Sequence, residues 1–185
     1  LGTPSDNTVS TSKIVDGAVT SAKLNAGKIL QVVSVTKTDT FQASLNDSYT
    51  DVTGLAATIT PASSSNKIFV TCSINYGSTT SFPPAFRLYR ASTMINTGVA
   101  ASDRPAASTA PMQQGQNADK NRGMHATINF LDSPSSTSAT TYKIEGGVLQ
   151  SSGILMVNTS GTSFDVDYNY IARTASTITL MEVSA

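Results

Sequence analysis

The stretch that decides the fold is KIFVTCSINY, residues 67–76. Apolar side chains occupy every second position: Ile68, Val70, Cys72, Ile74 and Tyr76. The positions between them are mostly polar but uncharged: Phe69, Thr71, Ser73 and Asn75. A period of two is typical of a strand with one buried face. The uncharged second face indicates an antiparallel sheet that meets water or a polar subunit contact.

Similar alternation recurs along the rest of the chain. The further predicted strands are Ile29–Thr36, Thr50–Ile59, Ala85–Tyr89, His125–Leu131, Thr141–Leu149, Gly153–Val157, Phe164–Ile171 and Ser176–Val183. Clusters of turn-forming residues separate several of them, at 61–66, 132–136 and 158–161. About nine short strands with this spacing predict an all-β fold, an antiparallel β-sandwich or jelly roll.

The N-terminal segment carries a ten-residue repeat. Residues 9–18 read VSTSKIVDGA and residues 19–28 read VTSAKLNAGK. Each unit offers too little apolar surface to offset the backbone entropy of ordering it alone, about 1 to 2 kcal/mol per residue. A second copy of the chain is the simplest source of the missing surface. We therefore expect residues 1–27 to form an oligomeric stalk or attachment segment and residues 28–185 to form the β-sandwich; a disordered hydroxyl-rich linker is the alternative for the segment.

Composition excludes several classes of function. The 185 residues include 12 basic and 12 acidic side chains, and 26 serines and 26 threonines. A neutral chain lacks the positive field on which non-specific binding to nucleic acid or anionic membranes depends. No apolar run approaches the ~18 residues that span a bilayer. We therefore expect neither a nucleic-acid partner nor membrane insertion.

The sequence offers no convincing catalytic arrangement. Cys72 is the one cysteine and lies on the apolar face of the strongest strand, where a thiol behaves as a small hydrophobe. His125 is the one histidine, at the start of a predicted strand. Three roles fit this histidine: a pH switch, an axial metal site on a threefold axis, or a strand-edge residue bonded to backbone or water. We expect no enzymatic activity, no metal and no cofactor.

The densest group of side chains suited to ligand contact is Arg87, Tyr89 and Arg90, preceded by FPP at residues 82–84. Planar guanidinium and aromatic groups suit glycan recognition. Arg87 and Tyr89 also share one strand face, which favours a subunit contact instead. Tyr168 and Tyr170 are expected to pack in the core or at a threefold interface.

Two groups of oxygen-bearing side chains are weaker candidates. Asn117, Asp119 and Asn121 alternate as in a calcium loop, but Gly123 comes one place late and Ile128 stands where the final Glu belongs. Their segment, 97–123, is a long aperiodic loop and therefore either a contact surface for a partner, with Asp119 a candidate contact, or a tolerated insertion. Asp165 and Asp167 would project from one strand face. They could hold a cation or act as an acid/base pair, but a solvated strand face is the more common role.

Several motifs resemble a known family. The repeat, with its joint at Asp16-Gly17-Ala18-Val19, resembles the stalk repeats of tailed-bacteriophage fibre proteins. Five further segments resemble the C-terminal domain of marine phage fibres: GKILQVV at 27–33, SNKI at 65–68, FRLYR at 86–90, TYKI at 141–144 and STITLMEV at 176–183.

This resemblance implies a homotrimeric virion fibre whose knob is similar to the trimeric jelly rolls of the tumour-necrosis-factor class. Its implied partners are its own copies, other virion proteins through the N-terminal segment, and a host-surface glycan or protein. A capsid-mounted head fibre or decoration protein remains an alternative, with tail and capsid locations both open. A glycan-degrading tailspike domain is the enzymatic alternative, although only two glutamates, Glu145 and Glu182, occur in the chain.

Overall fold

The structure, a computed structural model, describes residues 27–80, 84–110, 123–162 and 167–185. Eight strands form within these ranges: β1 (Ile29–Lys37), β2 (Phe41–Ile59), β3 (Lys67–Ser78), β4 (Ala85–Arg90), β5 (Thr93–Ile95), β6 (Met124–Asp132), β7 (Thr140–Val157) and β8 (Ser176–Val183). None of the described residues is helical. The predicted all-β class is therefore confirmed.

The strands form two antiparallel groups of four. Sheet I has the order β1-β8-β3-β6, because β8 pairs with both β1 and β3 and β3 pairs with β6 on its other side. Sheet II has the order β2-β7-β4-β5. A short ladder between the ends of β3 and β7 joins the two groups at one corner, from Tyr76 paired with Val157 to Ser78 paired with Leu155.

This strand order defines a jelly roll. Consecutive strands alternate between the two sheets for most of the chain, so that each sheet mixes strands from both halves of the sequence. Two four-stranded antiparallel sheets built in this way are the double-sheet jelly roll, one of the arrangements by which all-β proteins cover the inner faces of both sheets.

The core lies between the two sheets and is built by the period-two faces. The inward residues of β3, from Ile68 to Tyr76, are at most 1% exposed. Sheet II supplies Leu55, Phe86, Leu88 and Ile144, all fully buried. The rings of Tyr76 and Phe86 meet edge to face across the core, with centroids 5.2 Å apart. Burying side chains of this size contributes about 1.5 to 3 kcal/mol each, so the alternation read from the sequence is the main source of stability.

The structure corrects several predicted strand bounds. β2 begins at Phe41 rather than Thr50, and the runs at Thr141–Leu149 and Gly153–Val157 form one continuous strand, β7. β5, three residues long, was not predicted. The predicted strand at Phe164–Ile171 is wrong over 167–171, where the Ile171 amide donates to the Tyr168 carbonyl at 3.0 Å and closes a turn. The repeat-bearing segment 1–26 lies outside the described residues and stays a prediction.

Candidate functional site

Strand β4 places Arg87 and Tyr89 on the outer face of sheet II. The two side chains are half-buried and alternate with the core residues Phe86 and Leu88. The structure therefore places Arg87 and Tyr89 on one face of the strand, as the period-two pattern predicts.

A tyrosine from β2 completes the arrangement around Arg87. The Cζ atom of Arg87 lies 3.4 Å from the centroid of the Tyr49 ring, within the range of a cation–π contact. The same ring packs against Gly147 of β7, where a methyl group would come within 2.5 Å of a ring carbon. Glycine is needed at 147 because the aromatic ring occupies the space of a side chain.

The Arg87 side chain is held from a second direction. Its Nε–H donates to the Ala106 carbonyl at 3.1 Å, which ties the segment after β5 to the outer face of sheet II. A groove of about 580 Å³ lies beside it, lined by Asp47, Tyr49, Arg87, Asp103, Pro105 and Leu149. This volume falls within the range of small-molecule binding clefts, about 300 to 1,000 Å³. We call it the Arg87 groove.

The Tyr49 hydroxyl is an unusual feature of the Arg87 groove. Its oxygen is shielded from water, yet it makes no hydrogen bond to any residue that the structure describes. Burial raises the pKa of Tyr49, and the nearby Arg87 charge opposes that rise. The hydroxyl therefore stays protonated at neutral pH.

A set of charged groups continues along the same sheet face from the Arg87 groove. Lys143 Nζ donates to Asp51 Oδ1 at 2.6 Å and lies 3.9 Å from Glu145 Oε1. It also lies 5.4 Å from the centroid of the Tyr89 ring. The hydrogen bond to Asp51 raises the pKa of Lys143, and burial together with Glu145 raises the pKa of Tyr89. The outer face of sheet II thus combines guanidinium, ammonium, carboxylate and phenol groups.

Arg90 is separated from this group. Its Nη1 donates to both carboxylate oxygens of Asp132, at 2.8 and 2.9 Å, and to the Ser133 carbonyl at 3.3 Å. Tyr142 donates its hydroxyl to the same carboxylate at 2.6 Å. Asp132 and Tyr142 are buried. The structure therefore brings Arg87 and Tyr89 together but places Arg90 in a structural ion pair that closes one edge of the core.

The outer face of sheet I has a different chemistry. Three rows of four residues cross it, one from each of β1, β8, β3 and β6. The first row is apolar: Val32, Met181, Phe69 and Leu131. The next two are Ser34, Thr179, Thr71 and Asn129, then Thr36, Thr177, Ser73 and Thr127. All twelve side chains are uncharged and at least partly exposed. We call these twelve residues the hydroxyl face.

His125 lies just beyond the last row of the hydroxyl face. It is exposed, pairs with Asn75 in the β3–β6 ladder, and its Nε2 lies 2.7 Å from Ser73 Oγ. It also lines a second cavity, of about 240 Å³, together with Asn75, Met124 and Thr174. His125 belongs to β6 of sheet I, whereas Arg87 and Tyr89 belong to β4 of sheet II, so the structure does not bring them together.

The remaining candidates have mixed outcomes. Cys72 is fully buried, and burial raises the pKa of its thiol to about 12, so it fits the predicted role of a small hydrophobe.

Tyr168 and Tyr170 stack on each other with centroids 5.1 Å apart, and they are 44% and 64% exposed, so core packing was a wrong expectation for both. Asp167 is exposed outside any strand. Asp119, Asn117, Asn121 and Asp165 lie outside the described residues.

Neither of two common functional features is found in the described part of the chain. No group of three or more histidine, cysteine, aspartate or glutamate side chains there is arranged to hold a metal ion. No helix in those ranges is long and apolar enough to cross a membrane.

Sequence reasoning did not find Tyr49, Asp47 or Gly147. Tyr49 and Asp47 reach the Arg87 groove through the pairing of β2 with β7, which joins residues about one hundred positions apart. One local signal was available: Gly146-Gly147 inside an otherwise regular strand indicates close approach by another group.

Comparison with known proteins gives no family assignment. No family model matches the chain, and no curated protein matches it. Among solved structures, the chain is similar to the crystal structure of the infectious bursal disease virus VP2 subviral particle, at 16% identity over 84% of this chain and 37% of that one, with a TM-score of 0.38. It is also similar to a structure of the infectious bursal disease virus Gx strain, at 14% identity over 86% and 38% of the two chains, with a TM-score of 0.39.

The chain spans less than two fifths of each of these viral chains. Both TM-scores lie below 0.5, so the fold assignment rests on the strand order of this chain itself. Within the described residues, that order defines an antiparallel jelly-roll protein with eight strands.

Proposed function

We propose that this chain is a non-enzymatic structural protein of a bacteriophage virion, a homotrimeric fibre whose jelly roll is a knob that binds the host surface. Residues 1–27 are the stalk that attaches the knob to other virion proteins, and residues 28–185 are the knob. The resemblance of the repeats and of the C-terminal segments to phage fibres supports the virion role. Three identical knobs on one stalk would let several weak host contacts act together through their high effective concentration.

The observation that carries the proposal is the hydroxyl face. Val32 is 56% exposed and Leu131 is 47% exposed, at opposite ends of its apolar row. A row of this kind across four strands leaves apolar area in water unless a partner covers it. Because no member of the face is charged, a second copy meets no like-charge repulsion there. Serine and threonine hydroxyls both donate and accept hydrogen bonds, so the face can pair with any uncharged polar surface of the neighbouring copies around a threefold axis.

The size of the face also fits a subunit contact. Its three rows lie two residues apart on four neighbouring strands, so they cover roughly 19 Å by 20 Å. That is about half of the ~800 Å² that each partner buries in a specific interface, so the face is large enough to form the centre of one. A second copy of this chain is therefore the partner that the face fits best.

A matched pair of variants tests the proposal. Val32→Asp puts a carboxylate into the apolar row of every copy, where association would strip it of water at a cost of several kcal/mol. We expect this variant to sediment as a monomer. Val99→Asp makes the same change at a valine that is 97% exposed and outside the strands, and it should keep the mass of the unmodified chain. Circular dichroism should show the same β-sheet spectrum for both variants.

Retention of the trimer by Val32→Asp would remove the support that the hydroxyl face gives. Labelling of intact particles with an antibody against the chain provides the second part of the test. Label at the tips of fibres on tail or capsid is expected, and particles without label would contradict the virion role.

A further inference from the structure

We propose that the turn formed by Asp167, Tyr168, Asn169 and Tyr170 is a platform on which a saccharide of the host surface stacks. The inference rests on the proposed role of the knob in host binding, and it names the surface and the class of ligand for that role. We call these four residues the tyrosine turn, and all four are exposed.

The tyrosine turn comes before the end of sheet I that is farthest from the N-terminal segment. Residues 1–27 lead into β1 at Ile29, which pairs with Val183 at the end of β8. The tyrosine turn precedes the opposite end of β8, at Ser176. Because β8 is eight residues long, the two ends are roughly 24 Å apart. A stalk at one end therefore presents the other end to the host.

The chain between the tyrosine turn and β8 is held at this far end. The Thr174 amide donates to the Asn158 carbonyl at 3.0 Å. Ala172 and Thr174 line the cavity of about 240 Å³ that His125 also lines. Two residues span at most about 7 Å, so Tyr170 lies near this cavity and stays at the end of the sandwich.

Tyr168 and Tyr170 form one aromatic unit before any ligand arrives. Their ring planes are 10° apart with centroids 5.1 Å from each other, and the hydrogen bond from the Ile171 amide to the Tyr168 carbonyl closes the turn. Each ring covers one face of the other, so one face of each remains outward. Tyr170 is 64% exposed and offers the larger free ring surface. A tyrosine held in this way loses little conformational entropy on binding.

The exposed aromatic surface suits a ligand the size of one ring. Together the two tyrosines leave roughly 200 Å² in water, about a quarter of the ~800 Å² that each partner buries in a protein interface. The face of an aromatic ring is negative, and a sugar ring presents weakly positive C–H groups on its own face. Stacking on Tyr170 therefore fits a sugar ring better than a folded protein.

Asp167 and Asn169 add hydrogen-bonding groups next to the rings. Neither side chain makes a hydrogen bond or an ion pair with a residue that the structure describes. A carboxylate accepts hydrogen bonds from hydroxyl groups, and an amide both donates and accepts them. An aromatic face between a carboxylate and an amide is complementary to a sugar, which has a C–H face and hydroxyl groups at its edge.

The test is an NMR titration of the whole chain with isotope-labelled tyrosine rings. The probes are four disaccharides: maltose, lactose, cellobiose and di-N-acetylchitobiose. The chain has six tyrosines, and we expect at least one probe to shift the signals of Tyr168 and Tyr170 while those of Tyr49 and Tyr89 stay in place. Shifts confined to Tyr49 or Tyr89 would place the sugar on sheet II and overturn the inference.

Four variants locate the binding. Tyr170→Ala removes the platform and should weaken binding at least tenfold, whereas Tyr170→Phe keeps the ring and should bind nearly as well as the unmodified chain. Asp167→Ala removes a hydrogen-bond acceptor and should weaken binding severalfold. Tyr89→Ala removes a tyrosine from the outer face of sheet II and should leave binding unchanged. Equal losses in Tyr170→Ala and Tyr170→Phe would show that the ring face is not the platform.

Failure of this inference is distinguishable from failure of the proposed fibre. A chain that is trimeric by light scattering but binds none of the four disaccharides would overturn the platform and leave the fibre intact. Binding that survives Tyr170→Ala would also overturn the platform. A monomeric chain that binds a disaccharide through Tyr170 would support the platform and contradict the proposed trimer.

Discussion

Arg87 and Arg90 show how two residues of the same type can have different roles on one strand. Arg87 faces outward beside a groove, whereas Arg90, at the end of β4, neutralises the buried carboxylate of Asp132. Burial, together with the hydrogen bond to Asp132, raises the pKa of Tyr142, so this phenol remains a donor. A buried carboxylate needs such partners because its desolvation is costly when unpaired. The contacts of Arg90 thus support a structural role.

Removing the Asp132 carboxylate should therefore destabilise the fold. We expect Asp132→Ala to lower the free energy of unfolding by about 2 to 3 kcal/mol, because the Tyr142 hydroxyl and the Arg90 guanidinium lose their acceptor. Urea denaturation measures the change. Lys143→Ala is the control, since its ion pair with Asp51 is largely solvent-exposed and should contribute less than about 1 kcal/mol. Equal effects of the two substitutions would contradict this account of Asp132.

Glu182 is a second buried carboxylate, and its hydrogen bonds join separate elements of the fold. It lies on β8, fully buried, and accepts hydrogen bonds from the Gln31 side chain of β1, the Asn66 side chain and the Ala62 amide. The last two belong to the turn between β2 and β3. Burial alone would raise the pKa of Glu182, but these hydrogen bonds outweigh it and hold the pKa below its ordinary value of 4.5. One carboxylate therefore joins β8 to its neighbouring strand and to the turn that connects the two sheets.

The lowered pKa of Glu182 makes a testable contribution to acid stability. Between the ordinary and the folded pKa, the unfolded chain binds a proton that the folded chain does not. The contribution is therefore present above about pH 4.5 and is lost as the pH falls through the folded value. Glu182→Gln should cost about 2 kcal/mol at pH 7. In urea unfolding it should also flatten the loss of stability that occurs as the pH falls below about 4.5.

The other glutamate of the chain provides the control for this pH dependence. Glu145 is half-buried on the outer face of sheet II, and its carboxylate lies 3.9 Å from Lys143 Nζ. Glu145→Gln should leave most of the acid decline in place. A decline that persists in Glu182→Gln and disappears in Glu145→Gln would show that Glu145, and not Glu182, is responsible for it.

The elements also show what a period-two pattern can and cannot predict. β8 has the bounds predicted for it, because every second residue faces the core: Ser176, Ile178, Leu180 and Glu182 are all buried. The first half of β2 was missed although Phe41, Ala43 and Leu45 alternate with polar residues, because the turn-forming residues at 46–48 interrupt the pattern. Its strand conformation there depends on pairing with the distant end of β7. The interval 150–152 between two predicted strands is part of β7, and the register of the β2–β7 pairing shifts there, between Asn46 and Ser48.

At the scale of the whole molecule, the two outer faces of the jelly roll differ in chemistry. The hydroxyl face of sheet I is uncharged and carries an exposed apolar row, which fits contact with another copy. The outer face of sheet II carries Arg87, Lys143 and their carboxylate and phenol neighbours, beside a groove. The face proposed for association and the Arg87 groove therefore lie on opposite sides of the sandwich.

The candidate site was predictable only in part, because the fold assembles it from distant segments. Period two places Arg87 and Tyr89 on one face from local sequence alone. Tyr49 joins them through a sheet register that no local pattern contains, and the segment around Ala106 joins them through a loop contact. Side chains that one strand supplies could be foreseen, whereas the groove that four separate segments build could not.

The most direct test of the proposed homotrimer is the native mass of the whole chain, measured by light scattering over roughly a hundredfold dilution. We expect a stable mass of about three times 19.2 kDa. A mass of 19.2 kDa at every concentration would contradict the homotrimer and, with it, the proposed fibre.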